Sequence, residues 1–277
     1  MIIWLCTDME GLAGIDSWDQ CYHPSDTAPE YLDAREQLTL EVNAAVAGCF
    51  DAGATEVRVI DGHGRNRNQG FIREKLDPRV RLVWFSSFAP VRLDGLNETV
   101  HAVAMIGQHA MAGTLHAFLD HTQAPKEICR LRINGQEHGE MSQFALYAGA
   151  YGVPLAYVSG DEALCEEARR LFPHVTCTPT KRGTAWATCE LYPPDDVRQH
   201  IRRDIARAIR RVDRSSAWRL PTPIEVSVEW AYSGLADQRA NFAGVQRIDA
   251  RTIAWKIGDP RDIYSFPSEA WQPGVHG

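Results

Sequence analysis

The sequence has no Cys-x-x-Cys pair. Its seven cysteines, Cys6, Cys21, Cys49, Cys129, Cys165, Cys177 and Cys189, are scattered and odd in number. That spacing excludes a zinc knuckle and argues against a disulfide framework. Several sit in apolar runs and read as small buried hydrophobes, so a reducing, cytoplasmic setting is expected. No apolar run reaches the roughly 18 residues that a spanning helix needs. No basic stretch followed by an apolar core marks a secretory leader. A basic excess is missing too: the net charge is -7 and the pI near 5.8. Phosphate backbones call for a basic face, so nucleic acid is not an expected partner, and neither is a membrane. The one locally basic stretch, residues 198–214, has helical spacing and reads as the solvated side of an amphipathic helix. Internal repeats and low-complexity segments are also absent.

What is present is an alternation. With 277 residues, 44% of them hydrophobic, the chain is long enough for one large domain or two smaller ones. Residues 2–6, 56–60, 80–85 and 102–107 read as buried strands. Residues 128–135 read as a strand entering an Asn-Gly turn, and 154–160 as a further strand. Residues 29–52 carry Leu32, Leu38, Val42, Ala45, Val46 and Phe50 near i+3 and i+4 spacing, with Pro29 at the start and Gly53 at the end. Two more helices are expected, at 140–151, closed by Gly152, and at 161–172, capped by Asp161. This rhythm predicts an α/β fold with a mostly parallel sheet and flanking helices. After a helix at 194–212 and the segment LPTP, short strands follow at 224–230, 245–248 and 252–257. They predict a smaller α+β unit, giving a catalytic region of residues 1–190 and a second region of 191–277.

Polar residues collect where the strands end. The first strand runs into Asp8 and Glu10 within CTDMEGLAG, the next into Asp61 and His63 within DGHG, and a later one into His109 within GQHAMAGT; Glu140 opens a helix after EHG. Each has a plain reading: a polar turn, a satisfied histidine, a carboxylate at a helix N-terminus. Ligands of open α/β sheets, however, bind beyond the carboxyl ends of the strands. If these strands are parallel neighbours, Asp8, Glu10, His63, His109 and Glu140 share one crevice. Imidazole with carboxylate favours zinc or a similar ion over magnesium or calcium. Five such groups exceed the needs of one catalytic zinc. They suit two ions roughly 3.5–4 Å apart, bridged by Asp8 or Glu10. Asp61 reads as orienting His63 or capping its turn.

The order DMEGLAG, DGHGRNRN, GQHAMAGT, AFLDHT, INGQEHGEMSQFALYAGAYGVPLAYVSGD, TKRGTA and VEWAYSGLADQRANFAGVQRIDARTIAWKI resembles the DppA-type D-aminopeptidases, a family of zinc metallopeptidases, over nearly the whole chain. The resemblance implies Asp8, Glu10, His63, His109 and Glu140 as the ligands of two zinc ions per chain, and His121 in DHT as the catalytic histidine. It implies release of N-terminal D-amino acids from short peptides or amides, in a ring-like homo-oligomer such as a decamer. The chain departs from the family in three places. Gln108 stands where members often carry tyrosine, the stretch from His109 to His121 is slightly longer, and Trp186 follows TKRGTA. His116 is the competitor for the role of His121, while His23, His101, His138, His174, His200 and His276 read as surface or loop residues. Trp84, Trp186, Trp230 and Trp255 read as core or interface. Two alternatives stand beside the aminopeptidase: a binuclear amidohydrolase acting on a non-peptide amide, and a peptide-binding protein without turnover.

Overall fold

A strand as apolar as IIWLCT must be covered on both faces, and the computed structural model, which describes residues 1–63, 69–86 and 90–267, covers it so. In chain order the elements are β1 (Ile2–Thr7), α1 (Trp18–Tyr22), α2 (Pro29–Asp51), β2 (Glu56–Asp61), β3 (Val80–Leu82), β4 (Val100–Gln108), β5 (Ile128–Ile133), β6 (Gln136–Glu137), α3 (Glu140–Ala150), β7 (Leu155–Asp161), α4 (Glu162–Leu171), β8 (Thr176–Ala185), β9 (Thr188–Leu191), α5 (Pro194–Arg211), β10 (Ile224–Trp230), α6 (Ser233–Ala240), β11 (Gln246–Arg247) and β12 (Thr252–Ile257). β1 is buried on both faces, its side chains pointing alternately to one and the other as a pleat requires. Ile3 and Leu5 pack with Leu38, Val42 and Val46 of α2 and Ile201, Ile205 and Ile209 of α5. Trp4 faces the other way, with Phe144 of α3 and the apolar side of a second sheet. Helices, sheet, then helix and second sheet make the layers.

The first sheet has the order β3-β2-β1-β4-β7-β8-β9. Its pairings are parallel except the last, between β8 and β9. The chain leaves β1 toward β2 and β3, then returns to place β4 on the other side of β1. The strand order therefore reverses between β1 and β4, and a crevice opens beyond their carboxyl ends. Asp8 and Glu10 follow β1, and His109 follows β4.

The second sheet, β11-β12-β10-β5-β6, is antiparallel, and it draws β5 and β6 from before residue 190. The strand at 128–133 is thus no neighbour of β4; it pairs with β10, because its apolar face meets that of Val226 and Val228. Helix α5, from beyond residue 190, packs on the first sheet instead. The strand groups therefore do not divide where composition changes. The Asn-Gly turn is present: Asn134 and Gly135 have φ 50° and 81°, both positive as a two-residue I′ hairpin turn requires. β3 ends at Leu82, short of the expected 85, and Leu32 of α2 is exposed. Trp230 and Trp255 are core, whereas Trp84 and Trp186 are exposed. All seven cysteines are unpaired. No helix among the described residues is long and apolar enough to cross a membrane.

Candidate metal centre

The loop after β1 does not leave the sheet at once. Asp8 N–H donates to the Ile106 carbonyl and Gly11 N–H to the Gly107 carbonyl, both at 2.8 Å, so residues 8–11 run along β4. The approach is too close for side chains. A Cβ on Gly11 would overlap the Gln108 carbonyl, and one on Gly107, which has φ 72°, would overlap that of Asp8. These two glycines bring the acids of β1 against the histidine of β4.

Two groups of candidate ligand atoms result, Asp8 with Glu10 and His63, and His109 with His121 and Glu140. In the first, His63 Nε2 lies 3.3 Å from Glu10 Oε1. In the second, Glu140 Oε1 lies 3.5 Å from His109 Nε2 and 3.8 Å from His121 Nε2. Asp8 joins the groups, since its Oδ2 is 3.5 Å from His109 Nε2. The imidazoles of His109 and His121 are stacked, centroids 3.8 Å apart. Glu140 arrives from the first turn of α3 rather than from a parallel strand, and the Gln123 N–H donates to it at 2.7 Å. Asp61 takes the N–H of Gly70 at 2.8 Å and that of His63, so it caps the turn that presents His63. Residues 64–68 of the DGHGRNRN motif and His276 lie outside the described residues.

The donor set fits a cation. Glu10 Oε1, His63 Nε2 and His109 Nε2 are buried with no hydrogen-bond partner among the described residues, and such groups mark a place for a ligand. His109 Nδ1 faces the Ala110 carbonyl at 2.9 Å and His121 Nδ1 the Leu119 carbonyl at 2.8 Å. A carbonyl only accepts, so each Nδ1 carries the proton and each Nε2 presents a lone pair to the cluster. The carboxylates repel one another: burial, then Glu10, pushes Asp8 well above its ordinary range. Burial works against charge on Glu10 and Glu140 as well, but His63 outweighs it at Glu10, and His109 holds Glu140 down to about 2. His121 goes the other way from His63 and His109, which Glu10 and Glu140 raise against the effect of burial. Burial, then His109, lowers it, which leaves it neutral near pH 7. A dication would relieve the crowding of carboxylates.

Several residues with no signature of their own hold this arrangement. Tyr22 Oη is 3.2 Å from His121 Nε2 and, with that nitrogen unprotonated, the hydroxyl donates. Tyr22 stacks on Trp18, and Trp18 meets the exposed Trp186, so the tryptophan after TKRGTA belongs to an aromatic wall beside the site. TKRGTA itself is a clamp. Thr180 Oγ1 donates to the Gly11 carbonyl. The fully buried Lys181 Nζ donates to the carbonyls of Glu10 and Ile15 at 2.6 Å each and lies 4.6 Å over the Phe118 ring. Asp161, which caps α4 through Leu164 N–H, also accepts the Phe118 N–H at 2.9 Å. Glu167 accepts the Met111 N–H at 2.9 Å. The lengthened stretch between His109 and His121 is thereby pinned at both ends. His116 stands apart, exposed, with Nδ1 against the Thr184 carbonyl. His138, expected at the surface, is buried against Trp218.

Comparison with known proteins places the chain by sequence and by fold. The sequence model of the D-aminopeptidase family, peptidase M55, matches residues 1–268. A D-aminopeptidase of Bacillus subtilis (strain 168) is 27% identical over 270 residues, covering 95% of this chain and 94% of the relative. The solved Zn-dependent D-aminopeptidase DppA of Bacillus subtilis, a self-compartmentalizing protease, superposes with a TM-score of 0.86 at 25% identity, over 96% of this chain and 94% of that one. With a match over nearly its whole length, the chain belongs to the M55 D-aminopeptidase family of peptide hydrolases.

Proposed function

We propose that this protein is a zinc-dependent D-aminopeptidase with a binuclear centre. Asp8, Glu10, His63, His109 and Glu140 would hold the ions, and His121 would serve as the acid/base. The observation that carries the reading is the convergence of three unpartnered buried ligand atoms, on Glu10, His63 and His109, with two further carboxylates. The zinc dependence of the Bacillus enzyme supports the choice of metal. Its self-compartmentalizing character supports a homo-oligomeric ring here, and Leu115, 80% exposed, and Tyr232, 57% exposed, are apolar surface for such contacts.

Bound zinc supplies Lewis acidity, polarising a carbonyl and acidifying water toward a pKa of about 7. The chain's own groups divide the rest. A peptide's free amino group would bind, as the neutral amine, at one ion or beside a nearby carboxylate, which favours cleavage next to a free N-terminus. His121, held in one tautomer by Leu119 and oriented by Tyr22, takes a proton at Nε2 from the attacking water and returns it to the leaving amine. His121 also lies within one of the ligand groups, so its role needs a test that separates the two functions. Hydrolysis of D- and L-amino acid amides is measured on zinc-loaded wild type and His121→Ala, with zinc content determined on both. Selective D-amide hydrolysis that falls about 10²–10⁴-fold in the variant at unchanged zinc content supports the acid/base role. A parallel loss of zinc makes His121 a ligand. No release of N-terminal D-residues by wild type contradicts the proposal.

A further inference from the structure

A cavity of about 180 Å³ opens beside the centre, with Asp8 and Glu140 in its wall. The remainder is mostly apolar: Phe85, Val91, Leu93, Met105, Phe144 and Tyr264. Phe144 is one helical turn beyond Glu140 on α3, so one helix face presents both the carboxylate and the apolar wall. The other walls are tied to this helix and to each other. Leu93 N–H donates to Tyr147 Oη of α3 at 3.0 Å, and Val91 N–H to Ser265 Oγ at 3.3 Å. Arg92 pairs with Asp262 at 2.8 Å. These contacts hold the described parts of the wall in place. Gln108 also lines the cavity.

We infer that this cavity receives the side chain of the substrate's first residue and selects a bulky apolar one, aromatic or branched aliphatic, over alanine. The inference rests on the aminopeptidase reading above. The α-carbon of that residue bears the amine, the scissile carbonyl and the side chain. With amine and carbonyl engaged at the centre these residues would form, the third substituent has to lie immediately beside it, and two of its carboxylates, Asp8 and Glu140, line this cavity. Size sets the class. A cavity of about 150 Å³ lined by apolar side chains accepts benzene, so this one takes a phenyl ring, while a methyl group leaves most of it unfilled. Because the cavity lies to one side, inversion at the α-carbon removes the side chain from it, which couples the selection to configuration.

The test compares D-phenylalaninamide with D-alaninamide on the zinc-loaded full chain, wild type and Val91→Trp. Binding of the products D-phenylalanine and D-alanine is measured by calorimetry alongside. Expected is a kcat/KM for the phenylalanine amide at least about tenfold above that for the alanine amide, tighter binding of D-phenylalanine, and a ratio at least about tenfold smaller in Val91→Trp. Equal or better use of D-alaninamide by wild type, or a ratio unmoved by Val91→Trp, overturns the inference. Should no D-amide be hydrolysed while D-phenylalanine still binds more tightly and loses that advantage in Val91→Trp, the cavity assignment stands and the peptidase reading falls. The wild-type comparison decides the matter alone if Val91→Trp does not fold.

Discussion

Replacing Lys181 by methionine tests how the acidic loop is held. The ammonium is fully buried and donates to the carbonyls of Glu10 and Ile15, with the Phe118 ring beneath it. Methionine keeps most of the volume but strands both carbonyls, at about 1–3 kcal/mol each. Removing the cost of burying a charge offsets part of this, and burial already lowers the lysine's pKa. The net is a loss of about 2–4 kcal/mol. In a chain of this size that lowers Tm by about 5–15 °C. The loop carrying Asp8 and Glu10 loses its anchor at the same time, so zinc affinity falls with stability. Thermal melts with and without zinc, together with metal content after dialysis, read both effects. The neighbouring Arg182 forms an exposed pair with Glu190, so Arg182→Met should leave the melting temperature nearly unchanged. If Lys181→Met melts within a degree or so of wild type and keeps its metal, the clamp described for TKRGTA is wrong.

Three other outcomes are expected. Tyr22→Phe removes the hydroxyl that donates to His121 Nε2; that bond favours the neutral imidazole, so its loss raises the histidine's pKa. The acid limb of the kcat/KM profile should move to higher pH, with a loss of up to about tenfold; an unchanged profile would separate Tyr22 from His121. Burial raises Glu167 from 4.5 to about 7, so its folded form holds a proton that the unfolded chain has lost. The associated stability, about 3 kcal/mol, is present below pH 4.5 and disappears as pH rises through 7. Glu167→Gln, which keeps an acceptor for Met111, should therefore raise Tm relative to wild type at pH 8.5 and much less at pH 5; an equal difference at both contradicts the assignment. Gly11→Ala should abolish folding or metal retention, since its Cβ would overlap the Gln108 carbonyl, whereas Gly258→Ala, with open space around it, should be tolerated; comparable melting of the two would refute the close approach of β1 and β4.

The parts of the site legible in the sequence are those set by strand ends. Asp8, Glu10, His63 and His109 each follow an apolar run, and the reversal of strand order brings those ends together. The parallel sheet was legible for the same reason, because alternation of apolar runs with helical periods is local. Pairing across the chain was not. Nothing in residues 128–133 says that they pair with residues 226–230, almost a hundred positions away. So the antiparallel sheet and its mixed origin emerged only in three dimensions. Tyr22 and Glu167 lie in no quoted motif and Lys181 in one whose role the sequence does not state; their roles depend on which groups the fold leaves facing them. His138 misled for a similar reason: a histidine after a hairpin reads as surface until the Trp218 ring is found against it.

The central claim is that the acids of CTDMEGLAG belong to a binuclear zinc centre. Metal content per chain, measured after zinc reconstitution and dialysis on wild type, Glu10→Ala and His109→Ala, tests it most directly. The account predicts about two zinc ions per wild-type chain and a clear loss in each variant. Wild type that retains no zinc, or variants that retain as much as wild type, would mean that these residues converge without holding metal.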